Sequence, residues 1–307
     1  MSTISLTVVR SARPAFLLLT PVCVLLGIAA GIHFHGEISL KLAVLVMIGA
    51  VSAHIAANTF NEYFDFTSGL DSLTNKTPFS GGSGALPEQP HAQFWVLAAA
   101  CVSLALTIAI GVALVNIVGS TLLILGLIGV VTILAYTRIL NRQPWLCLIA
   151  PGLGFGPLMV LGTYISVTAP ELVTAKHLIH VLLLSLVPFC VVNNLLLLNQ
   201  LPDVEADKKV GRKTFPIRYG VSASLQIYRI FLIAAGISMA YAIFIGIAPW
   251  YAAITLLPLA LGYSAYRGLR KQAQIVVSDF LPYLGRNVAT ALLAPLVYAV
   301  ALLMPLR

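Results

Sequence analysis

The sequence predicts an all-α, polytopic membrane protein with nine transmembrane helices, one domain across residues 1–307, and three observations carry that prediction. Of 307 residues, 59% are hydrophobic and 9% charged, where soluble domains carry roughly 25% charged residues. Apolar runs near the ~20 residues needed to cross a bilayer recur along the chain. Nearly all the charged residues sit between those runs or at their ends.

The runs fall at about 14–34, 39–63, 92–115, 118–136, 145–167, 177–200, 222–246, 248–266 and 286–305. The first follows "MSTISLTVVRSARP", which lacks the n-region and cleavage site of a signal peptide, so this span is expected to stay. The second, "SLKLAVLVMIGAVSAHIAANTF", leads into the polar "NEYFDFTSGLD" of residues 61–71. The fourth ends in "AYTR". The fifth contains "APGLGFGPLMVLGTY", whose glycines and prolines a membrane helix tolerates because its neighbours re-satisfy the backbone, and small residues let helices approach closely. The sixth ends in "NQLPDVEADKKVGRKT", residues 199–214. Cys23, Cys101, Cys147 and Cys190 all lie in apolar runs without metal-ligand spacing and read as small core residues.

The net charge of +8 points to cytoplasmic loops, not to nucleic acid. With the N-terminus in the cytoplasm, fourteen basic residues fall on that side: Arg10, Arg13, Lys76, Arg138, Arg142, Lys208, Lys209, Arg212, Lys213, Arg218, Arg267, Arg270, Lys271 and Arg286. Lys41, Lys176 and Arg307 fall on the other, and Arg229 lies within the seventh span. This asymmetry is the positive-inside signal. It places both acidic segments, after the second and sixth runs, at the cytoplasmic face. Acidic loops after runs two and six and basic loops after four and eight hint at an internal repeat with a site between its halves.

The two segments hold Glu62, Asp65, Asp71, Asp203, Glu205 and Asp207, six of the ten acidic residues. Asn61 and Asp65 are four apart, on one helix face, and Gly69 is expected to end that helix so that Asp71 folds back. Asn199, Asp203 and Asp207 follow an i, i+4, i+8 stripe, with Pro202 expected to bend the axis. Crowded carboxylates repel unless a cation joins them. Mg²⁺ suits, since it takes one or two carboxylates and completes its shell with water and phosphate oxygens. Lys76, Arg138, Arg142, Lys208 and Arg212 are available to neutralise further anionic charge. The pattern reads as a metal clamp at the mouth of an apolar chamber, for a lipid with a diphosphate head. A single charged loop beside a span is an ordinary solvated end; two matching clusters on one side are not explained that way. His54, seven residues before Asn61, shares the face as packing or as a catalytic group. Phosphate-loop, zinc-helix and nucleophile-elbow motifs are absent.

These residues resemble the UbiA superfamily of intramembrane prenyltransferases. Asn61, Asp65 and Asp71 are similar to its NxxxDxxxxxD signature, and Asn199, Asp203, Asp207, Gly211 and Thr214 to its NxxxDxxxDxxxGxxT signature. "RPAFLLLTPVCVLLG" from Arg13, "AYTR" and "FGPLMVLGTY" are softer matches. The resemblance implies nine helices around a central cavity with cytoplasmic cap loops, and Mg²⁺-dependent prenyl transfer from a polyprenyl diphosphate to an aromatic acceptor within the bilayer. It implies metal binding by Asp65, Asp71, Asp203 and Asp207, phosphate or metal positioning by Asn61 and Asn199, and substrate contact by Arg13 and the five loop cations. Tyr136 is expected to stabilise an allylic cation through its ring, or to sit at the membrane interface. The forms "FGPLMVLGTY" and "NEYFDF" most resemble dihydroxynaphthoate polyprenyltransferases of menaquinone synthesis. Pro202, in place of an arginine, and the glycine-rich link "NKTPFSGGSGALPE" depart from that pattern. Hydroxybenzoate, homogentisate, a porphyrin acid and a glycerophosphate remain open as acceptors, and a transporter is the rival from another class. The expected setting is a prokaryotic plasma membrane, with no nucleic acid and no obligate protein partner.

Overall fold

Each apolar run of the sequence is helical in the computed structural model, which describes residues 3–74, 76–272 and 277–304, and no strand occurs among them. A short helix α1 (Thr3–Ser11) precedes the bundle. The helices that follow are α2 (Leu19–His35), α3 (Leu40–Thr67), α4 (Gln93–Val118), α5 (Thr121–Tyr136), α6 (Pro144–Val167) and α7 (Ala175–Asn199). The short α8 (Val204–Lys209), then α9 (Phe215–Phe244), α10 (Leu256–Arg270) and α11 (Val277–Leu303) complete the chain. Seven of them are long and apolar enough to cross a membrane. Two of the nine expected spans are shorter: α5 has 16 residues and α10 has 15. For α10 the reason is local, since Trp250–Thr255 forms a 3-10 turn after Pro249 and takes up the start of the predicted run. Arg307, counted in the charge asymmetry, lies outside the described residues.

Close backbone approach sets the packing of α6 on α7. A Cβ at Gly152 would stand 2.3 Å from the Phe189 carbonyl oxygen, and one at Gly156 would stand 2.7 Å from that of Ser185. Only glycine permits that contact. The Gly152 amide donates to Asn193 Oδ1 at 2.6 Å. Pro151 and Pro157 interrupt the helical ladder here, and Gly154–Leu158 widens into a π-turn. A second set of polar ties joins α7, α9, α10 and α11. Asn194 donates to the Tyr228 carbonyl at 2.9 Å, Tyr228 donates to the Gly262 carbonyl at 3.1 Å, and Asn287 donates to the Asn194 carbonyl at 3.0 Å. Such bonds hold helices together in lipid, where apolar surface alone supplies little attraction.

The bundle has two distinct ends. At one, Arg10 meets Glu88 at 2.9 Å, Arg13 meets Glu62 at 2.9 Å, and the Lys213 amide donates to the Asn141 carbonyl at 2.9 Å. The loops after α5 and α8 therefore meet at this end. At the other end His35 Nε2 pairs with the Tyr164 hydroxyl at 2.8 Å, and Tyr251 donates to the Met304 carbonyl at 2.7 Å. Three of the four cysteines are buried, as expected, but Cys101 is exposed. In a membrane bundle an apolar residue on the outside faces lipid, so hydrophobicity alone does not sort core from surface.

Candidate active site

The first acidic segment rides on an unbroken helix. Asn61 and Asp65 occupy the last turns of α3 and both line a cavity inside the bundle. Gly69, at φ +77°, turns the chain out of the helix. That conformation is open to glycine at no steric cost, and the 3-10 turn Leu70–Ser72 brings Asp71 to the same wall. The neighbouring Glu62 is fully buried and turned to a different task. It pairs with Arg13 at 2.9 Å and accepts from the Ser83 amide at 3.1 Å.

The second segment is built differently. Helix α7 stops at Asn199, a turn covers residues 200–203, and α8 starts afresh at Val204. The expected stripe through Asn199, Asp203 and Asp207 is therefore broken into two helices. Pro202 lacks an amide proton and its ring crowds the preceding turn, which favours a helix end here. Asp203 nonetheless lines the cavity, as do Asn199 and Asp207. Asp203 Oδ2 accepts from the Gly81 amide at 3.1 Å. Gly211, at φ +80°, then turns the chain so that Arg212 comes back over Asp207. The guanidinium contacts Asp207 Oδ1 at 3.0 Å through one nitrogen and bonds Asp65 Oδ1 through the other. One side chain joins the two acidic segments.

The glycine-rich link after the first segment closes the arrangement. Residues 80–83, "SGGS", span both segments: Gly81 holds Asp203 while Ser83 holds Glu62 through its amide and its hydroxyl. The only hint in the sequence was the glycine density of the link, which permits the positive φ of Gly81 and Gly82. Among the cations expected at the site, Arg13 and Arg212 line the cavity. Lys76, Arg138, Arg142 and Lys208 are not on its wall. Lys76 bonds the Ser83 carbonyl, Arg138 lies over the Phe64 ring at 5.2 Å, and Arg142 and Lys208 are exposed.

Burial disfavours the charged form of these carboxylates. Burial pushes Asp71 up to about 7, with the charges of Glu62 and Asp65 adding to the effect. Burial likewise takes Asp203 to about 7, helped by Asp207 and opposed by the Gly81 amide. Asp207 is raised by burial in spite of Arg212. Asp71 Oδ2, Asp203 Oδ1 and Asn199 Oδ1 are buried without a hydrogen-bond partner. Hard oxygen donors left unpaired in this way suit a divalent cation such as Mg²⁺. No three acidic, histidine or cysteine side chains converge tightly enough to hold one ion among the described residues, so part of any ion's shell must come from a ligand or water.

Below the polar mouth the cavity is apolar and measures about 720 Å³. Tyr136 and His54 belong to its wall. The His54 ring is buried, bonded at Nδ1 to the Thr20 hydroxyl at 2.8 Å and packed edge-on against Phe155 at 4.8 Å. Ile108 and Val112 of α4 and Leu123 and Leu127 of α5 also line the cavity, and each is exposed. The cavity is thus least covered along those two helices.

An apolar helical bundle around a chamber with a single charged mouth defines an integral, multi-pass membrane protein with a site for an amphipathic ligand. The model of the UbiA prenyltransferase family matches residues 18–280, and the chain belongs to that family. It is a membrane prenyltransferase. It is 28% identical over 247 residues to the 1,4-dihydroxy-2-naphthoate octaprenyltransferase of Bacillus subtilis, covering 78% of this chain and 74% of that one. To the enzyme of the same description from Escherichia coli it is 25% identical over 310 residues, covering 95% and 94%. A UbiA homolog from Archaeoglobus fulgidus, solved bound to DMAPP and Mg²⁺, shares the fold with a TM-score of 0.63 at 19% identity, covering 97% of this chain and 99% of that chain.

Proposed function

We propose that this enzyme, acting as one domain across residues 1–307, transfers a polyprenyl group from its diphosphate to an aromatic acceptor, 1,4-dihydroxy-2-naphthoate. The observation that carries this reading is the junction of charge and grease: four aspartates and two arginines ring one end of a cavity whose remaining wall is mostly apolar. The names of the bacterial relatives support the acceptor, and the Mg²⁺ of the archaeal homolog supports the metal. Asp65, Asp71, Asp203 and Asp207 would hold Mg²⁺, oriented by Asn61 and Asn199. Bound there, the ion supplies positive charge against the departing diphosphate. Arg13 and Arg212 take up the remaining anionic charge. The apolar wall keeps water from the allylic carbon once its C–O bond breaks, and the Tyr136 ring faces the cation that forms. A ring carbon of the acceptor then bonds to that carbon and loses its proton. The charge asymmetry of fourteen against three supports an N-terminus and site facing the cytoplasm, and the bacterial sources of the two relatives support a prokaryotic plasma membrane.

The test is transfer from labelled geranylgeranyl diphosphate by purified protein with Mg²⁺, offered 1,4-dihydroxy-2-naphthoate, 4-hydroxybenzoate, homogentisate, a porphyrin acid and a glycerophosphate in turn. Product from the naphthoate alone, abolished by EDTA, is expected. Product from a different acceptor overturns the acceptor, and persistence in EDTA overturns the metal.

A further inference from the structure

We propose that Gly111, Gly126 and Gly129 gauge the length of the prenyl chain that the enzyme accepts, an inference that rests on the reading above. Glycine is a poor helix former, and membrane bundles keep it where helices touch. Gly27, Gly152 and Gly156 obey that rule here, since a Cβ on any of them would come within 3.0 Å of a neighbour. The three proposed glycines do not. A methyl group at Gly111, Gly126 or Gly129 would meet no atom within 4 Å. None has the positive φ that would demand glycine. All three line the cavity. Helix α5, which carries two of them, buries only Leu122, so the bundle does not close on its inner side. Packing and backbone conformation leave these glycines unexplained; unfilled space explains them.

The chamber is also built to receive a ligand. Asn199 and Thr163 are buried, at 9% and 1% exposure, on its wall, and Asn199 Oδ1 and Thr163 Oγ1 have no hydrogen-bond partner. The glycines lie at graded depth beneath the charged mouth. From Tyr136, Gly129 is seven residues along α5, or roughly 10 Å at 1.5 Å per residue, and Gly126 is roughly 15 Å away. Gly111 follows Ile110, which packs at Gly49, and Gly49 lies roughly 18 Å along α3 from Asn61. A prenyl chain anchored by its diphosphate at the mouth passes Gly129 first and Gly111 last. It then leaves toward lipid past Val112 and Leu123, which line the cavity and are exposed.

A leucine at each position is the probe, with geranyl, geranylgeranyl and octaprenyl diphosphates as donors. Gly129→Leu should keep geranyl transfer and lose the longer donors by roughly 10- to 100-fold in kcat/KM, the scale on which an overpacked apolar site discriminates. Gly111→Leu should lose octaprenyl transfer alone, with Gly126→Leu between them. Thermal stabilisation of the detergent-solubilised protein by each diphosphate should follow the same order, and this reads length selection without turnover. Gly126→Ala, which favours the helix, checks that a side chain at this position is compatible with folding. Equal loss for every donor, or no change with length in either measurement, overturns the gauge. Graded stabilisation of the variants by the diphosphates, with wild-type protein that transfers to no acceptor, overturns the functional reading and leaves the gauge standing.

Discussion

The two acidic segments share one spacing and not one structure. Asn61 and Asp65 sit on a continuous helix, while Asn199 and Asp203 straddle the end of one. What differs is Pro202, which removes a backbone donor where α7 would otherwise continue. The Asn-xxx-Asp pattern therefore fixes which side chains reach the cavity without fixing the backbone that delivers them. The second segment, freed from the helix, meets the loop through Asp203 and the Gly81 amide as the first does through Glu62 and Ser83, and Arg212 returns to hold acids from both.

The severest way to break the comparison is to remove one acid from each side. Asp65→Asn and Asp203→Asn should each lower Mg²⁺-dependent transfer by about 100-fold or more, the scale of losing an electrostatic contact made in the transition state. Both variants should still elute as folded protein in detergent. If only one of them is impaired, the segments are not equivalent partners in the chemistry. Arg212→Ala should strike both segments at once, because Asp65 and Asp207 lose a shared partner. Breaking a buried ion pair costs about 3 kcal/mol or more, and a fall in the thermal midpoint measured without Mg²⁺ checks this.

Smaller effects sharpen the contrast. With Pro202→Ala, α7 is free to extend, which pulls Asp203 from Gly81; a loss of several-fold in kcat/KM with little change in stability is expected, about the scale of one weakened hydrogen bond. An unchanged rate would mean that the loop, not the proline, positions Asp203. The mildest probe is pH. Asp71 and Asp203 rise from 3.8 to about 7 on folding, so the folded protein binds more protons across that interval. The stability they contribute is full below about pH 4 and is lost as pH rises through 7. Midpoints of the metal-free protein should fall across that window, and Mg²⁺ should flatten the slope.

Hydropathy made the helical runs legible, and residue spacing made the acids legible, because both depend on local sequence. The shortness of α10 was not, since the 3-10 turn after Pro249 has the same composition as a span. Nor was the choice among cations. Arg13 reaches the wall through a left-handed backbone at φ +53°, whereas Arg138, closer in sequence to Tyr136, lies on Phe64 instead. Glu62 counted as one more carboxylate, but it faces Arg13 and Ser83 and serves as a brace. Loop conformation decides such matters, and loops pair residues distant in the chain.

The guanidinium of Arg212 has one further consequence. It serves as counterion to Asp65 and Asp207 together, so a cation that claims either carboxylate releases half of that attraction to the other. Occupation of the two rims is thereby thermodynamically linked: each ion alters the affinity for the next, and binding curves should depart from those of independent sites.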